Sequence, residues 1–183
     1  MTKNEIRTKI KELRKNMEPC DVEIKSKNAC ENLIKSGLLN EKSTVMLYFP
    51  LGKETDTRIL FDYFSDKGIT VLLPVTNNDI ITPVKLDKNS EFKKGEYNIF
   101  EPSEKIVFPK EKIDAVIVPG IAFDKRGARV GFGKGCYDRF LRCLDVLKIG
   151  FCYNFQIVDK IENDENDINM DYIVSDKEVI YCE

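Results

Sequence analysis

Asp114–Arg142, DAVIVPGIAFDKRGARVGFGKGCYDRFLR, decides how the rest of the chain is read. It opens on the apolar, β-branched run Ala115–Val118, whose length suits a buried strand bounded by turn residues. Gly127, Gly131, Gly133 and Gly135 follow, with Arg129 and Lys134 among them. Such glycines let backbone N–H groups approach a ligand without Cβ interference, and the two cations add positive charge, so the loop suits an anion. Beyond it Tyr137, Phe140, Leu141 and Leu144 recur at helical spacing. They predict a helix whose N-terminus adjoins the loop, where the dipole favours a phosphate by roughly 0.3–1 kcal/mol. A nucleotide is the expected guest.

The spacing Gly131-x-Gly133-x-Gly135 matches neither the G-x-G-x-x-G of dinucleotide folds nor G-x-x-x-x-G-K-[ST]. A glycine cluster by itself describes only a mobile loop. The cations within this one, and the carboxylate of Asp138 just after it, point instead to phosphate together with Mg²⁺, a cation that takes oxygen ligands.

The run 118–141, VPGIAFDKRGARVGFGKGCYDRFL, resembles the signature of the 5-formyltetrahydrofolate cyclo-ligase (methenyltetrahydrofolate synthetase) family, approximately PGxAFDxxGxRxGxGxGxYDRxL. The similarity continues at Lys3 and Arg7, at Glu54 in ETDT, at Gly95–Pro102 (G-x-x-x-I-x-E-P), and at Gln156 and Asp171. Most of the chain is covered, and residues 1–183 are expected to form a single domain of that kind.

Composition agrees with a globular protein: 183 residues, 42% apolar and 33% charged, are enough for one sizeable core. A net charge of −2 gives no global reason to expect nucleic acid or a membrane as partner. No apolar run approaches the ~18 residues of a membrane span, and the charged start has no secretory core, so a cytoplasmic location is expected. Six cysteines without a C-x-x-C pair read as reduced thiols. The absence of histidine removes Ser-His and Cys-His nucleophile schemes and the common zinc sites. Chemistry must then run on carboxylates, Lys, Arg, Tyr and metal.

The first segment places Ile6, Ile10, Leu13 and Met17 on one helical face, with Thr2 and Glu5 spaced as a capping box. Lys3, Arg7, Lys11 and Arg14 form a positive stripe beside it, which spacing alone reads as solvated. Asp21 is placed to cap a second helix that stops at Gly37. Thr44–Phe49 predicts a strand, then a turn carrying Glu54, then a helix from about Asp56 to Lys67 ending at Gly68. Thr70–Pro74 and Ile80–Leu86 predict strands, the latter an edge strand because of Pro83. Lys85–Lys94 reads as a surface connection, and Asn98 stands where a glycine is more usual, a position that tolerates positive φ. Lys148–Tyr153, 173–174 and 179–181 predict further strands, with the acidic stretch Asp159–Asp171 a solvated loop.

Alternating strands and helices indicate an α/β three-layer domain with a mainly parallel sheet; the resemblance implies a Rossmann-like arrangement related to sugar-phosphate isomerases. It also implies ATP-dependent cyclisation of 5-formyltetrahydrofolate to 5,10-methenyltetrahydrofolate, with ADP and phosphate released. By the same resemblance Lys134, Tyr137 and Arg129 carry catalysis, and Phe49, Glu54, Tyr137 and Gln156 hold the folate. Lys3, Arg7, Arg129, Gly131, Gly133, Lys134, Gly135, Cys136 and Tyr137 hold ATP, while Asp138 and Asp171 hold Mg²⁺. The basic helix would then close over the glycine-rich loop, and a monomer is expected. Two positions depart from the family pattern: Cys136 replaces the first of two tyrosines, and Asn166 replaces a histidine beside Asp167. The alternative is a folate- or nucleotide-binding regulator of the same fold that has lost turnover; a sugar-phosphate isomerase would not consume ATP.

Overall fold

Residues 1–182 are described by a computed structural model. In chain order its helices are α1 (Lys3–Lys15), α2 (Pro19–Lys35), α3 (Arg58–Asp66) and α4 (Cys136–Leu141). The strands are β1 (Thr44–Met46), β2 (Thr70–Asn77), β3 (Ile80–Lys85), β4 (Phe92–Lys94), β5 (Phe100–Pro102), β6 (Ala115–Pro119), β7 (Ala122–Asp124), β8 (Arg129–Val130), β9 (Leu147–Phe151), β10 (Ile157–Val158), β11 (Tyr172–Val174) and β12 (Val179–Tyr181).

Seven strands form the main sheet in the order β12-β11-β9-β6-β1-β2-β3. The pairs β11–β9, β9–β6, β6–β1 and β1–β2 are parallel, and the edge strands β12 and β3 are antiparallel. Side chains alternate between the two faces. Val45, Leu47, Ala115 and Ile117 meet Ala29, Cys30 and Leu33 of α2 and Leu60 and Phe64 of α3. Met46, Leu72, Val116 and Val118 meet Phe140 and Leu141 of α4 and Phe123 of β7. A strand buried on both faces reads as a continuous apolar run, which is why β6 was legible. The expected α/β layering is therefore observed, with a smaller sheet, β10-β7-β8, thickening the second face. Helix α1 packs Ile6 and Ile10 on that small sheet, against Ala122, Val130 and Ile161.

Several expectations are corrected. Leu13 is 45% exposed, whereas Ile6, Ile10 and Met17 are buried, so the buried face of α1 does not include Leu13. Helix α2 begins at Pro19, whose fixed φ suits the first turn, with Glu18 at the cap and Asp21 inside the helix. Strand β1 ends at Met46, although the Leu47 N–H still donates to Leu72 O at 2.9 Å. Helix α3 starts at Arg58 because Asp56 accepts the Arg58 N–H and turns the chain. Strand β2 runs on to Asn77 and turns tightly into β3 through Asn78 and Asp79, both with positive φ. The connection Lys85–Lys94 contains β4, which pairs with β5 around Tyr97 and Asn98, both left-handed.

The small sheet was hidden in the glycine-rich stretch. Asp124 is fully buried and accepts N–H groups from Arg126, Ala128 and Ile161, so one carboxylate folds the β7–β8 turn and ties in the later loop. Gly127 has φ +84°, and a Cβ there would lie 2.3 Å from Met170 O.

Candidate active site

A cleft of about 770 Å³ opens where β1 and β6 end, at Tyr48, Phe49 and Pro119. The carboxyl ends of parallel strands are where open α/β sheets place ligands. The loop Gly131–Gly135 forms one wall, α1 passes over it, and residues 96–101 and 164–167 close the two ends.

Helix α1 is fastened to the loop and its surroundings by its charged stripe. Its capping box forms as predicted from Thr2 and Glu5, and Lys53 Nζ donates to the carbonyls of Lys15 and Met17 at the other end. Arg7 Nε donates to Gly131 O at 2.9 Å, and Arg7 Nη1 to Asn4 Oδ1 at 2.7 Å. Lys3 pairs with Asp167 and, at 3.3 Å, with Asp164. Burial works against the Lys3 charge, but these two carboxylates outweigh it and raise its pKa. Arg14, which spacing placed in the solvated stripe, turns inward: its guanidinium is 3.8 Å from Glu54 and 5.7 Å from the Phe132 ring centroid. No sequence signal distinguished Arg14 from Lys11.

Glu54 is 6% exposed and holds the turn after β1 by accepting the Leu51 N–H at 2.8 Å. Burial raises its pKa, offset in part by Arg14 and by that N–H. The hydroxyl of Tyr137 is buried with no hydrogen-bond partner among the described residues. Burial, then the nearby Glu54 charge, push its pKa far up, so it stays a neutral donor. Phe49 sits in an aromatic group with Phe61, Phe92 and Phe100, at centroid distances of 5.3–6.3 Å. This half of the cleft is apolar, with the buried carboxylates of Glu54 and Glu101 and one unmatched hydroxyl: a site for a flat molecule with a few polar edges.

The other half is cationic. Lys134 is exposed on the cleft, and among the described residues only its carbonyl is engaged, by Arg139 at 2.8 Å. Gly133 has φ +102° with open space at its Cβ position. Arg129 is buried, donates to Asp138 at 2.8 Å and to Pro119 O at 3.3 Å, and lies 5.8 Å from the Tyr137 ring centroid. It therefore braces the loop while lining the cleft, and its Nε has no hydrogen-bond partner among the described residues. Gly131 is needed beside it, because a Cβ there would come within 2.9 Å of Arg129 Nη1. Helix α4 is six residues long and releases the chain at Arg142, leaving Leu144 outside it. So short a helix adds little dipole, and attraction for an anion rests on the loop N–H groups and side-chain cations.

Two expected site residues lie elsewhere. Gln156 is 1% exposed; its amide donates to Gly120 O and Ile121 O and accepts the Tyr153 N–H, so both ends are spent on backbone. Asp171 precedes β11 and accepts the Lys148 N–H and ammonium at 2.7 and 3.0 Å. Because β11 runs parallel to β9 and β6, this is the end of the sheet opposite the cleft, and Asp138 and Asp171 are not brought together. Asp164 and Asp167 line the cleft with Asp138, and Ile168, next to Asp167, donates its N–H to Asp138 at 3.3 Å. Mg²⁺ commonly takes one or two carboxylates plus phosphate oxygens; here Asp138 also holds Arg129 and Asp167 also holds Lys3. Cys136 lines the cleft with its Sγ 4.0 Å from Asp79. Burial and then Asp79 raise its pKa, so it is a thiol there.

Comparison with known proteins gives a consistent answer. The 5-formyltetrahydrofolate cyclo-ligase family model matches residues 1–176. The chain is 32% identical over 152 residues to 5-formyltetrahydrofolate cyclo-ligase of Mycolicibacterium smegmatis, covering 78% of each, and 30% identical over 144 residues to that of Escherichia coli, covering 74% of this chain and 79% of the relative. The solved structure of Aquifex aeolicus 5,10-methenyltetrahydrofolate synthetase superposes with a TM-score of 0.86 at 33% identity, over 99% of this chain and 93% of that one. The synthetase from Mycoplasma pneumoniae does so at 0.80 and 26% identity, over 97% and 100%. With the glycine-rich wall, the strapped basic helix and the buried glutamate all in one cleft, the chain belongs to the 5-formyltetrahydrofolate cyclo-ligase family.

Proposed function

We propose that this cleft converts 5-formyltetrahydrofolate to 5,10-methenyltetrahydrofolate, consuming ATP and releasing ADP and phosphate. The observation that carries the reading is the meeting of two unlike halves at Tyr137. One is apolar with the buried Glu54; the other is a glycine loop edged by Lys134, Arg7 and Lys3. A reaction joining a folate to a phosphoryl donor needs both in contact.

The formyl oxygen attacks the γ-phosphorus and ADP leaves, giving an imidate-like phosphate. The second folate nitrogen then attacks the formyl carbon, loses its proton, and phosphate departs as the ring closes. No protein nucleophile is required; the chain positions the two substrates and spreads negative charge. Lys134, Arg7 and the loop N–H groups face the phosphates, with Arg129 holding Asp138 and the loop in place. Glu54 accepts folate N–H donors, Phe49 packs against the ring system, and Tyr137 supplies the free hydroxyl between the substrates. Asp138 and Asp167 would hold Mg²⁺, which supplies charge neutralisation to the triphosphate. Equilibrium dialysis of Asp167→Asn with Mg²⁺ and a β,γ-methylene ATP analogue tests that assignment: unchanged uptake of metal would reject it.

The deciding experiment mixes the purified protein with 5-formyltetrahydrofolate, Mg²⁺ and ATP, and follows the near-ultraviolet absorbance of methenyltetrahydrofolate against an ATP-free control. An ATP-dependent rise is expected. No rise in a protein that binds both ligands would favour the regulator instead.

A further inference from the structure

The cations lining the cleft differ in what neutralises them. Lys3 is paired with Asp164 and Asp167 and Arg129 with Asp138, whereas Arg7, Lys134 and Arg139 have no carboxylate partner among the described residues. Arg142 likewise has no carboxylate partner among the described residues, although it borders an acidic loop. Its Nη2 donates to Asn166 Oδ1 at 2.9 Å and to Asn166 O at 3.3 Å. Both residues line the same cleft as Lys134.

This pairing is fixed from both sides. Arg142 closes α4, its N–H donating to Asp138 O at 3.1 Å, so its origin is set by the helix that carries Tyr137 and Asp138. Asn166 is held in its loop by donating its N–H to Asp164 Oδ1 at 3.0 Å, while the Asp164 N–H donates to Asp167. A neutral amide directs a guanidinium without cancelling its charge, whereas a carboxylate at the same place would do both. The residue at 166 is thus the one neutral acceptor in a run of Asp164, Glu165 and Asp167, and it is the one that holds Arg142.

We propose that Arg142 is a further binding residue for the phosphate chain of the nucleotide, and that Asn166 is its positioning residue, selected for lacking charge. The proposal rests on the ATP-dependent reading above and extends it to a cation outside the glycine-rich loop. A purely structural staple between α4 and the acidic loop is the competing explanation, and the two part company on charge.

The test is calorimetric titration of the full chain with the β,γ-methylene ATP analogue and Mg²⁺, alongside thermal melts and the KM for each substrate. Loss of one charge-assisted contact in Arg142→Ala is expected to weaken nucleotide binding about 10- to 100-fold, with folate KM unchanged and partial recovery in Arg142→Lys. Asn166→Asp forms a salt bridge, so a staple would hold or gain melting temperature and bind nucleotide normally. The proposal instead requires about tenfold weaker nucleotide binding at an unchanged or higher melting temperature. Normal nucleotide affinity in either Arg142→Ala or Asn166→Asp overturns it. Failure of the wild-type chain to bind the analogue would count against the ATP-dependent reading itself, before any variant is compared.

Discussion

Arg14 on α1 stands 3.8 Å from Glu54 in the turn after β1, so the helix strapped to the glycine-rich loop also bears on the charge of the buried glutamate in the apolar half of the cleft. Burial alone favours a neutral glutamic acid there, and Arg14 draws it back toward the carboxylate. Arg14→Ala should raise folate KM at neutral pH by about 1–2 kcal/mol, roughly 5- to 30-fold, with Arg14→Lys intermediate. Steady-state kinetics with each substrate varied in turn would check this; a change confined to ATP KM would refute it.

Glu54 also predicts a pH dependence. Its pKa in the folded protein lies above the ordinary 4.5, and the ionised form is the one that accepts folate N–H groups. Folate binding should therefore weaken as pH falls through that raised value, and Glu54→Gln should lose this acid limb. Stability runs the other way: the native state holds the proton more tightly than the unfolded chain, so stability falls as pH rises from 4.5 through the raised pKa. Glu54→Gln should flatten this slope in melts taken across the same range.

Lys134 and Glu54 sit in opposite halves of the cleft, and their variants should separate. Lys134→Ala removes an exposed cation and should raise ATP KM by about tenfold while sparing folate. Glu54→Gln should do the reverse. Equal losses for both ligands in folded variants would reject the division into halves.

The Tyr137 hydroxyl is buried without a partner among the described residues, a condition that costs about 1–3 kcal/mol. Tyr137→Phe should therefore melt at the same temperature or higher, while turnover falls roughly tenfold through loss of a substrate contact. A less stable variant with unchanged turnover would show that the hydroxyl serves the fold.

How much of this was legible follows from the range over which each signal acts. Local signals gave the buried β6, the Thr2–Glu5 cap, the left-handed Gly37 and Gly68, and the edge strand with Pro83. The resemblance supplied Lys3, Arg7, Phe49, Glu54 and the loop, all of which share the cleft. What failed depends on topology. Asp171 looks like a second site carboxylate until the parallel register puts it at the far end of the sheet. Gln156 carries a functional-looking amide whose two ends are consumed by Gly120, Ile121 and Tyr153, partners distant or unmarked in sequence. Arg14 and Asp124 were missed for the same reason, since a charged side chain turned inward has the same spelling as one turned out.

The glycines offer the sharpest separation of fold from site. At Gly127, φ is +84° and an added Cβ would meet the backbone oxygen of Met170 at 2.3 Å, so neither strain nor clash can relax. Gly127→Ala should lose several kcal/mol of stability, roughly 2–4, and melt far below the wild type. At Gly131 the obstacle is the Arg129 guanidinium at 2.9 Å, the end of a side chain rather than backbone. That guanidinium is held by Asp138 and Pro119 O, so yielding would misplace the group that anchors Asp138 and the loop. Gly131→Ala should fold, with a stability loss of about 1–2 kcal/mol, yet lose at least about tenfold in nucleotide affinity. Thermal melts paired with nucleotide titration distinguish the two. A Gly131→Ala variant that binds nucleotide normally would mean that Arg129 has slack the packing does not suggest, and that the loop does not depend on it.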